Sequence, residues 1–407
     1  MRFLFAWRYF KAKKSTNAIN VIAWTSISAI IIGTTALILV LGVFNGFEGL
    51  VKSLYSSFYT DWHVSPVKGK TIQVSKEQLA QLAQINGITG FSPIVEEKAL
   101  LQSGSNQSIV YLKGVDESFK KITSIDKHIV DGKYDIGTTT APRLILGAGV
   151  EEALGIYAGK EILPLTVYLP RANSQKQLDL TSDIVVDQIS ASGSFLIQQD
   201  FDNKYAITDA RFLQNQLGLQ SNQFSAIEIG VSSNANPNQI RKELQKLFPQ
   251  NTLIQDRYEQ NKSLFAVMST ERWIVYGVLS LILLVAAFNM VGALTMLVLE
   301  KQKDIAVLHA LGSNSSFIQQ LFLSEGMLLA IIGAGIGMLL ATLLAWLQIN
   351  FHLIPLQGGS FLIDYYPVKL KLTDFVLVGT TVFVIALLAS WIPAAKAAKR
   401  SFSLRTE

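Results

Sequence analysis

Four long apolar stretches, three of them crowded into the last third of the chain, constrain this sequence more than anything else in it. Residues Ser15–Phe47 carry no charge, and Trp273–Leu299, Phe317–Leu347 and Phe375–Ile392 are nearly as apolar. A bilayer core about 30 Å thick needs about 20 apolar helical residues. Each stretch meets that length. Amide groups in lipid must pair within their own segment, so the four read as transmembrane α-helices. Between the first and second lies an ordinary soluble-looking insert. The expected fold class is a membrane protein: four transmembrane α-helices with a large mixed α/β extracytoplasmic domain inserted between helices 1 and 2. Such a layout is not that of a solute channel or an ordinary secondary transporter. It suggests a protein that works outside the bilayer while anchored in it.

The expected boundaries follow from the charges. A basic N-terminal segment covers 1–21, helix 1 covers 22–47 and the insert 48–271. Helix 2 covers 272–299, a connecting segment 300–316 and helix 3 317–347. A loop at 348–373, helix 4 at 374–392 and a basic tail at 393–407 complete the chain. Residues 1–47 hold Arg2, Arg8, Lys11, Lys13 and Lys14 without an acid, whereas the insert balances 21 basic against 24 acidic residues. The basic pI therefore comes from membrane-flanking charge, not from a nucleic-acid face. Lys and Arg mark cytoplasmic flanks, and an even number of spans returns the chain to the same side. Both termini are thus expected in the cytoplasm and the insert outside. The first apolar run is too long for a signal-peptide core and no A-x-A site ends it, so it reads as a retained anchor. Cysteine is absent, which excludes disulfides, thiol nucleophiles and cysteine metal sites.

Within the insert, Ser75 with Gln78 three residues on forms a capping-box pattern, and Leu79, Leu82 and Ile85 make an apolar helical stripe. Thr89–Val95 reads as a strand. Ile227, Ile229 and Val231 alternate as in a half-buried strand. Asn236, with Pro237 at the first turn, starts a second helix whose stripe is Ile240, Leu244 and Leu247. Thr252–Gln255 follows as a strand. The two ends of the insert should therefore pack together around a central strand-rich stretch.

Motifs for catalysis are missing. The four histidines, His63, His128, His309 and His352, are not spaced as metal pairs. Gly155 to Glu161 lacks both the first glycine of a phosphate loop and the Ser/Thr after its lysine. Gly333, Gly335 and Gly337 lie inside an apolar helix, where small residues permit close helix packing. In 300–316, Ile305, Val307, Leu308 and Leu311 suggest a short amphipathic helix that Gly312 ends. It reads either as an interfacial hairpin or as a docking helix for a cytoplasmic partner.

Several segments resemble the lipoprotein-releasing permeases of the macrolide-exporter and cell-division permease superfamily of ABC transporters. They are Trp7 to Lys13, Val40-Leu-Gly-Val-Phe-Asn-Gly-Phe47, Leu146 to Ile156 and Ala286 to Val291. Glu300 to Gly312, Tyr366-Pro-Val-Lys-Leu370 and Pro393 to Ala398 extend the likeness nearly end to end. The Asn-Gly-Phe and Tyr-Pro-Val-Lys-Leu elements point most narrowly to the lipoprotein-releasing branch. The resemblance implies a multi-pass inner-membrane permease working with a second permease, identical or paralogous, and two cytoplasmic ATPase subunits. ATP and Mg would be bound by that partner, leaving this chain without a cofactor and without enzymatic activity of its own. Acylated lipoproteins would be drawn from the outer leaflet and passed to a periplasmic carrier. Coupling to the ATPase would fall on Asp304, Ile305, Val307, Leu308, Leu311 and Gly312. Lipoprotein would be bound by Val40, Val43, Phe44 and Phe47 with Met268, Trp273 and Tyr276. The carrier would be met by a hairpin tip with Pro170, Arg171 and Lys176, which is short and polar here. Two rival readings stay open: a tripartite efflux permease, and a cell-division-type regulator of a cell-wall hydrolase.

Overall fold

The computed structural model describes residues 17–159, 164–170, 184–248, 251–356, 363 and 365–399. They fall into two compact units, one of Met1–Leu50, Ala266–Leu356 and Asp364–Glu407, the other of Val51–Phe265 and Gln357–Ile363.

Among the described residues, eight helices are eight residues or longer. They are α1 Asn17–Phe58, α2 Lys76–Gln84, α3 Ala210–Leu217, α4 Pro237–Leu247, α5 Lys262–Glu300, α6 Gln302–Ala310, α7 Ser315–Phe351 and α8 Leu372–Lys399. Four of them, α1, α5, α7 and α8, are long and apolar enough to cross a membrane. Each outruns its expected span. Helix 1 does not stop at 47 but at Phe58, and helix 2 begins at Lys262 rather than 272. Helix 3 runs over 315–351 instead of 317–347, and helix 4 over 372–399 instead of 374–392. Hydropathy marks only the part of a helix that lipid would solvate. The backbone ladder continues until a breaker intervenes, and even Pro393 sits inside α8.

In the first unit α1 packs through Ile27, Ile30, Leu37, Ile38 and Leu41 into a core shared with α5, α7 and α8. The glycines of α7 explain its closeness to α1. A Cβ on Gly333 would lie 2.9–3.0 Å from Ile30, and one on Gly337 would lie 2.8 Å from the Ile31 carbonyl oxygen. Buried Thr35 donates to the Gly337 carbonyl at 3.0 Å.

The second unit is built on strands. They are β1 Trp62–Pro66, β2 Ile72–Gln73, β3 Ile88–Ser103, β4 Asn106–Val115, β5 Ile129–Gly132 and β6 Arg143–Gly147. Then come β7 Pro164–Pro170, β8 Ile184–Phe195, β9 Tyr205–Asp209, β10 Gln223–Phe224, β11 Ala226–Val231 and β12 Thr252–Asp256. Nine of these run in the order β12-β1-β11-β3-β4-β9-β6-β8-β5, with β7 pairing β3 and β8. Strands from the two ends of the insert are therefore neighbours: β1 lies between β11 and β12. The capping box of α2 is present, with Ser75 accepting from the Gln78 amide, and Asn236 caps α4 ahead of Pro237. Leu82, Ile240 and Leu244 enter one core with Trp62, Val64, Ile227 and Ile229. In β11 the expected alternation fails, because Ala226 to Gly230 are all buried. The strand is interior to the sheet and covered on both faces.

The burial of β11 places Glu228 inside the sheet. Its carboxylate meets the Lys113 ammonium at 2.5 Å, and both side chains are 2% exposed. Lys113 also lies 4.8 Å from the Phe58 ring and 5.1 Å from the Phe119 ring. Around this pair, burial lowers the pKa of His63, raises that of Glu96 and pushes Tyr59 up to about 12.

Asp202 is a separate titratable feature of this unit. Its carboxylate accepts from the Ile197 amide at 2.8 Å, yet burial pushes its pKa up from 3.8 to about 6. The folded protein thus binds a proton that the unfolded chain has released. The stability Asp202 contributes is full below pH 3.8 and is lost as pH rises through about 6. Replacing it by asparagine should flatten the dependence of Tm on pH across that window. Superimposable wild-type and Asp202→Asn profiles would rule this assignment out.

Candidate functional site

Two motifs that stand about 320 residues apart in sequence meet in the first unit. Gly42 to Phe47, at the outer end of the expected first span, lies against Tyr366 to Leu370. The Lys369 amide donates to the Gly42 carbonyl at 2.9 Å. Asn45 Nδ2 donates to the Lys369 carbonyl at 3.2 Å. The approach is possible because Gly46 has no side chain: a Cβ there would sit 2.1 Å from the Pro367 carbonyl oxygen. Phe47 and Tyr366 close the contact edge to face, with ring centroids 5.8 Å apart. Glycine is required here for space, not for an unusual backbone angle.

Asp374, in the first turn of α8, gathers three helices at this level. Its Oδ2 accepts from Asn45 Nδ2 of α1 at 2.5 Å. Its Oδ1 accepts from the Arg272 guanidinium of α5 at 2.7 Å, with the Asp374 side chain 3% exposed. Beside it Lys371 lies 3.4 Å from Glu48. A charge-assisted bond of this kind is shorter and stronger than a neutral one, the more so away from water. The arrangement offers no nucleophile–base pair and, among the described residues, no cluster suited to a metal ion. Its chemistry is positional: it fixes where α1, α5 and α8 stand relative to one another at this level.

Comparison with known proteins fits this architecture. The MacB-like periplasmic core domain family matches residues 23–247, and the FtsX-like permease C-terminal family matches 276–402. The chain belongs to the permeases that join these two parts. The permease is 26% identical to the lipoprotein-releasing system transmembrane protein LolE of Haemophilus influenzae, over 98% of this chain and 97% of that one. It is also 26% identical to LolC of Neisseria meningitidis, over 96% of this chain and 95% of the other. Among solved structures, the periplasmic region of MacB from Actinobacillus actinomycetemcomitans is similar at 13% identity and a TM-score of 0.37. That likeness covers 52% of this chain and 94% of the other.

The residues expected to bind lipoprotein are only partly gathered. Val40, Val43, Phe44 and Phe47 are all half-buried on α1. Trp273 is 58% exposed, and its ring meets that of Tyr276 edge to face at 5.6 Å. Tyr276 turns its hydroxyl to hydrogen-bond Thr381 of α8. Met268, five residues before Trp273, is half-buried.

The docking pattern on 300–316 needs one correction. Helix α6 spans Gln302–Ala310, and Gly312 follows it with φ at +91°, a left-handed conformation that glycine adopts without strain. Ile305 does not join an outward face. It is 2% exposed and belongs to the core of the first unit. The short helix folds back on the bundle, and its own amphipathicity serves that packing. Of the residues expected to dock, Val307 at 54% and Leu311 at 78% exposure remain outside, with Leu308 half-buried. Asp304 pairs with Lys301 at 3.1 Å.

For the carrier hairpin, β7 and β8 pair antiparallel with Pro170 opposite Ile184. Arg171 and Lys176 lie outside the described residues. Sequence reading passed over Arg272 and Asp374. The available signal was an acid at the head of one apolar span and a base at the head of another, because ionisable groups at such depth need partners.

Proposed function

We propose that this permease is the membrane subunit of an ABC transporter that extracts lipoproteins from the outer leaflet of the inner membrane and hands them to a periplasmic carrier. The observation that carries this reading is the end-to-end similarity to LolE and LolC, which leaves no large segment of either chain unmatched. That full-length match favours lipoprotein release over efflux or cell-wall regulation. The termini are cytoplasmic and the second unit is periplasmic, in keeping with the basic flanks of the spans. A second permease, identical or paralogous, completes the membrane part.

ATP and Mg are held by two separate ATPase subunits, which grip the permease at α6. Val307 and Leu311 supply the exposed apolar contacts for that grip, with Leu308 beside them. Each acyl CH₂ held in a membrane is worth about 0.8 kcal/mol, so a multiply acylated protein does not leave unaided. ATP-driven movement of α6 is passed to α5 and α7, which flank it in the chain. Phe44, Phe47 and Trp273 line the route of the acyl chains, and the β7–β8 hairpin recruits the carrier.

Co-purification tests the motor contact. The double variant Val307→Asp/Leu311→Asp should lower recovery of the ATPase about tenfold, since buried apolar anchors dominate such interfaces. Membrane insertion should be normal, because neither residue belongs to the buried core. Wild-type ATPase recovery with the variant would place the motor elsewhere. Reconstituted complex that hydrolyses ATP without releasing acylated protein to a soluble carrier would overturn the release function itself.

A further inference from the structure

We propose that Asp374 is a positioning residue that holds shut the seam between α1 and α5 at its outer end, and that its ion pair with Arg272 is the contact that parts to admit acyl chains. This rests on the release reading given above. Asp374 bonds to both sides of the seam, through Asn45 of α1 and Arg272 of α5. The two sides differ in kind.

On the α1 side the contact is reinforced by backbone. The Lys369 amide is bonded to the Gly42 carbonyl, and the notch at Gly46 presses α1 against Pro367. Parting there would break that main-chain bond and open a void. On the α5 side the link to Asp374 is one guanidinium on a flexible stem, with 29% of the Arg272 side chain exposed. That partial exposure leaves the guanidinium room to swing away as the contact parts. The buried carboxylate keeps the Asn45 amide as a donor meanwhile. Motion at this level is therefore assigned to α5, with α1 and the start of α8 moving as one body.

Asn45 also permits a decisive control. Its Oδ1 is buried and has no hydrogen-bond partner. With charges exchanged, as in Arg272→Asp/Asp374→Arg, the introduced guanidinium can donate to that oxygen and to the new carboxylate. The ion pair is then rebuilt with reversed polarity.

The experiment uses the full complex reconstituted in lipid vesicles. Its first readout is lipoprotein released per ATP hydrolysed. The second is the rate at which a membrane-soluble maleimide labels a Leu279→Cys background, at a partly buried α5 position packed against the bundle core, the chain having no other cysteine. Asp374→Asn and Arg272→Gln should label about tenfold faster, because losing either partner removes the contact that ties α5 to the buried Asp374 carboxylate. They should also release about tenfold less lipoprotein per ATP. The charge exchange should bring both readouts back to within about twofold of the parent. Parental labelling rates in the single variants would overturn the proposal. So would a charge exchange that inserts and binds ATPase normally yet behaves like the single variants. If the unmodified complex releases no lipoprotein, the release function fails, while the labelling rates still decide the seam.

Discussion

Gly46→Ala is expected to be the most damaging single-methyl change in the membrane unit. The added Cβ would lie 2.1 Å from the carbonyl oxygen of Pro367 and 2.4 Å from its carbon. Both are backbone atoms, so no rotamer change relieves the clash. Either α1 or the 366–371 segment must move. Movement stretches the bond from the Lys369 amide to the Gly42 carbonyl and the bond from Asn45 to the Lys369 carbonyl. Overpacking costs about 1–3 kcal/mol, and each hydrogen bond lost adds about 1 kcal/mol. The sum is a large part of the stability of an ordinary domain. Thermal unfolding in detergent should show a clearly lowered Tm for Gly46→Ala. Gly49→Ala is the matched control on the same helix. A Cβ there meets nothing within 4 Å, so the helix-favouring alanine should leave Tm unchanged or slightly raised. Equal Tm values for the two variants would refute the notch.

The second large effect is expected inside the periplasmic unit. Removing one member of the Lys113–Glu228 pair leaves the other charged and buried at 2% exposure. Such breakage costs about 3–5 kcal/mol, whereas replacing both members by apolar residues of similar volume is often nearly neutral. Glu228→Gln and Lys113→Met should each destabilise strongly. The combined Lys113→Met/Glu228→Leu should recover most of the loss. Limited proteolysis of the full chain across a denaturant series measures all three. Single variants with wild-type protease resistance would show that the pair contributes little. A double variant as weak as the worse single would show that the charges are held by more than one another.

These two sites divide what was legible in the sequence from what was not. The spans announced themselves because lipid imposes a length and a composition on any helix that crosses it. Caps at Ser75 and Asn236 were equally readable, since each is settled within three residues of chain. On α6 the helical period marks an apolar face without saying what covers it, and Ile305 on that face is buried. That residue is claimed by the bundle of its own chain. The alternation expected in β11 failed for a related reason. A strand's neighbours, not its own sequence, decide whether one face or both are buried.

The sequence by itself determined the elements: which segments are apolar enough to span, where helices begin, and that a mixed α/β unit separates the first span from the rest. It also supplied the Asn-Gly-Phe and Tyr-Pro-Val-Lys-Leu motifs, but as two unrelated strings. Only the tertiary structure made them one site, through a hydrogen bond between residues 324 positions apart. It likewise brought Arg272 and Asp374 together across 102 positions, and Lys113 and Glu228 across 115. Local propensity and hydrophobic period act over a few residues, so they fix elements. Charge pairing and close backbone approach depend on which elements become neighbours, and that is decided only when the chain has packed.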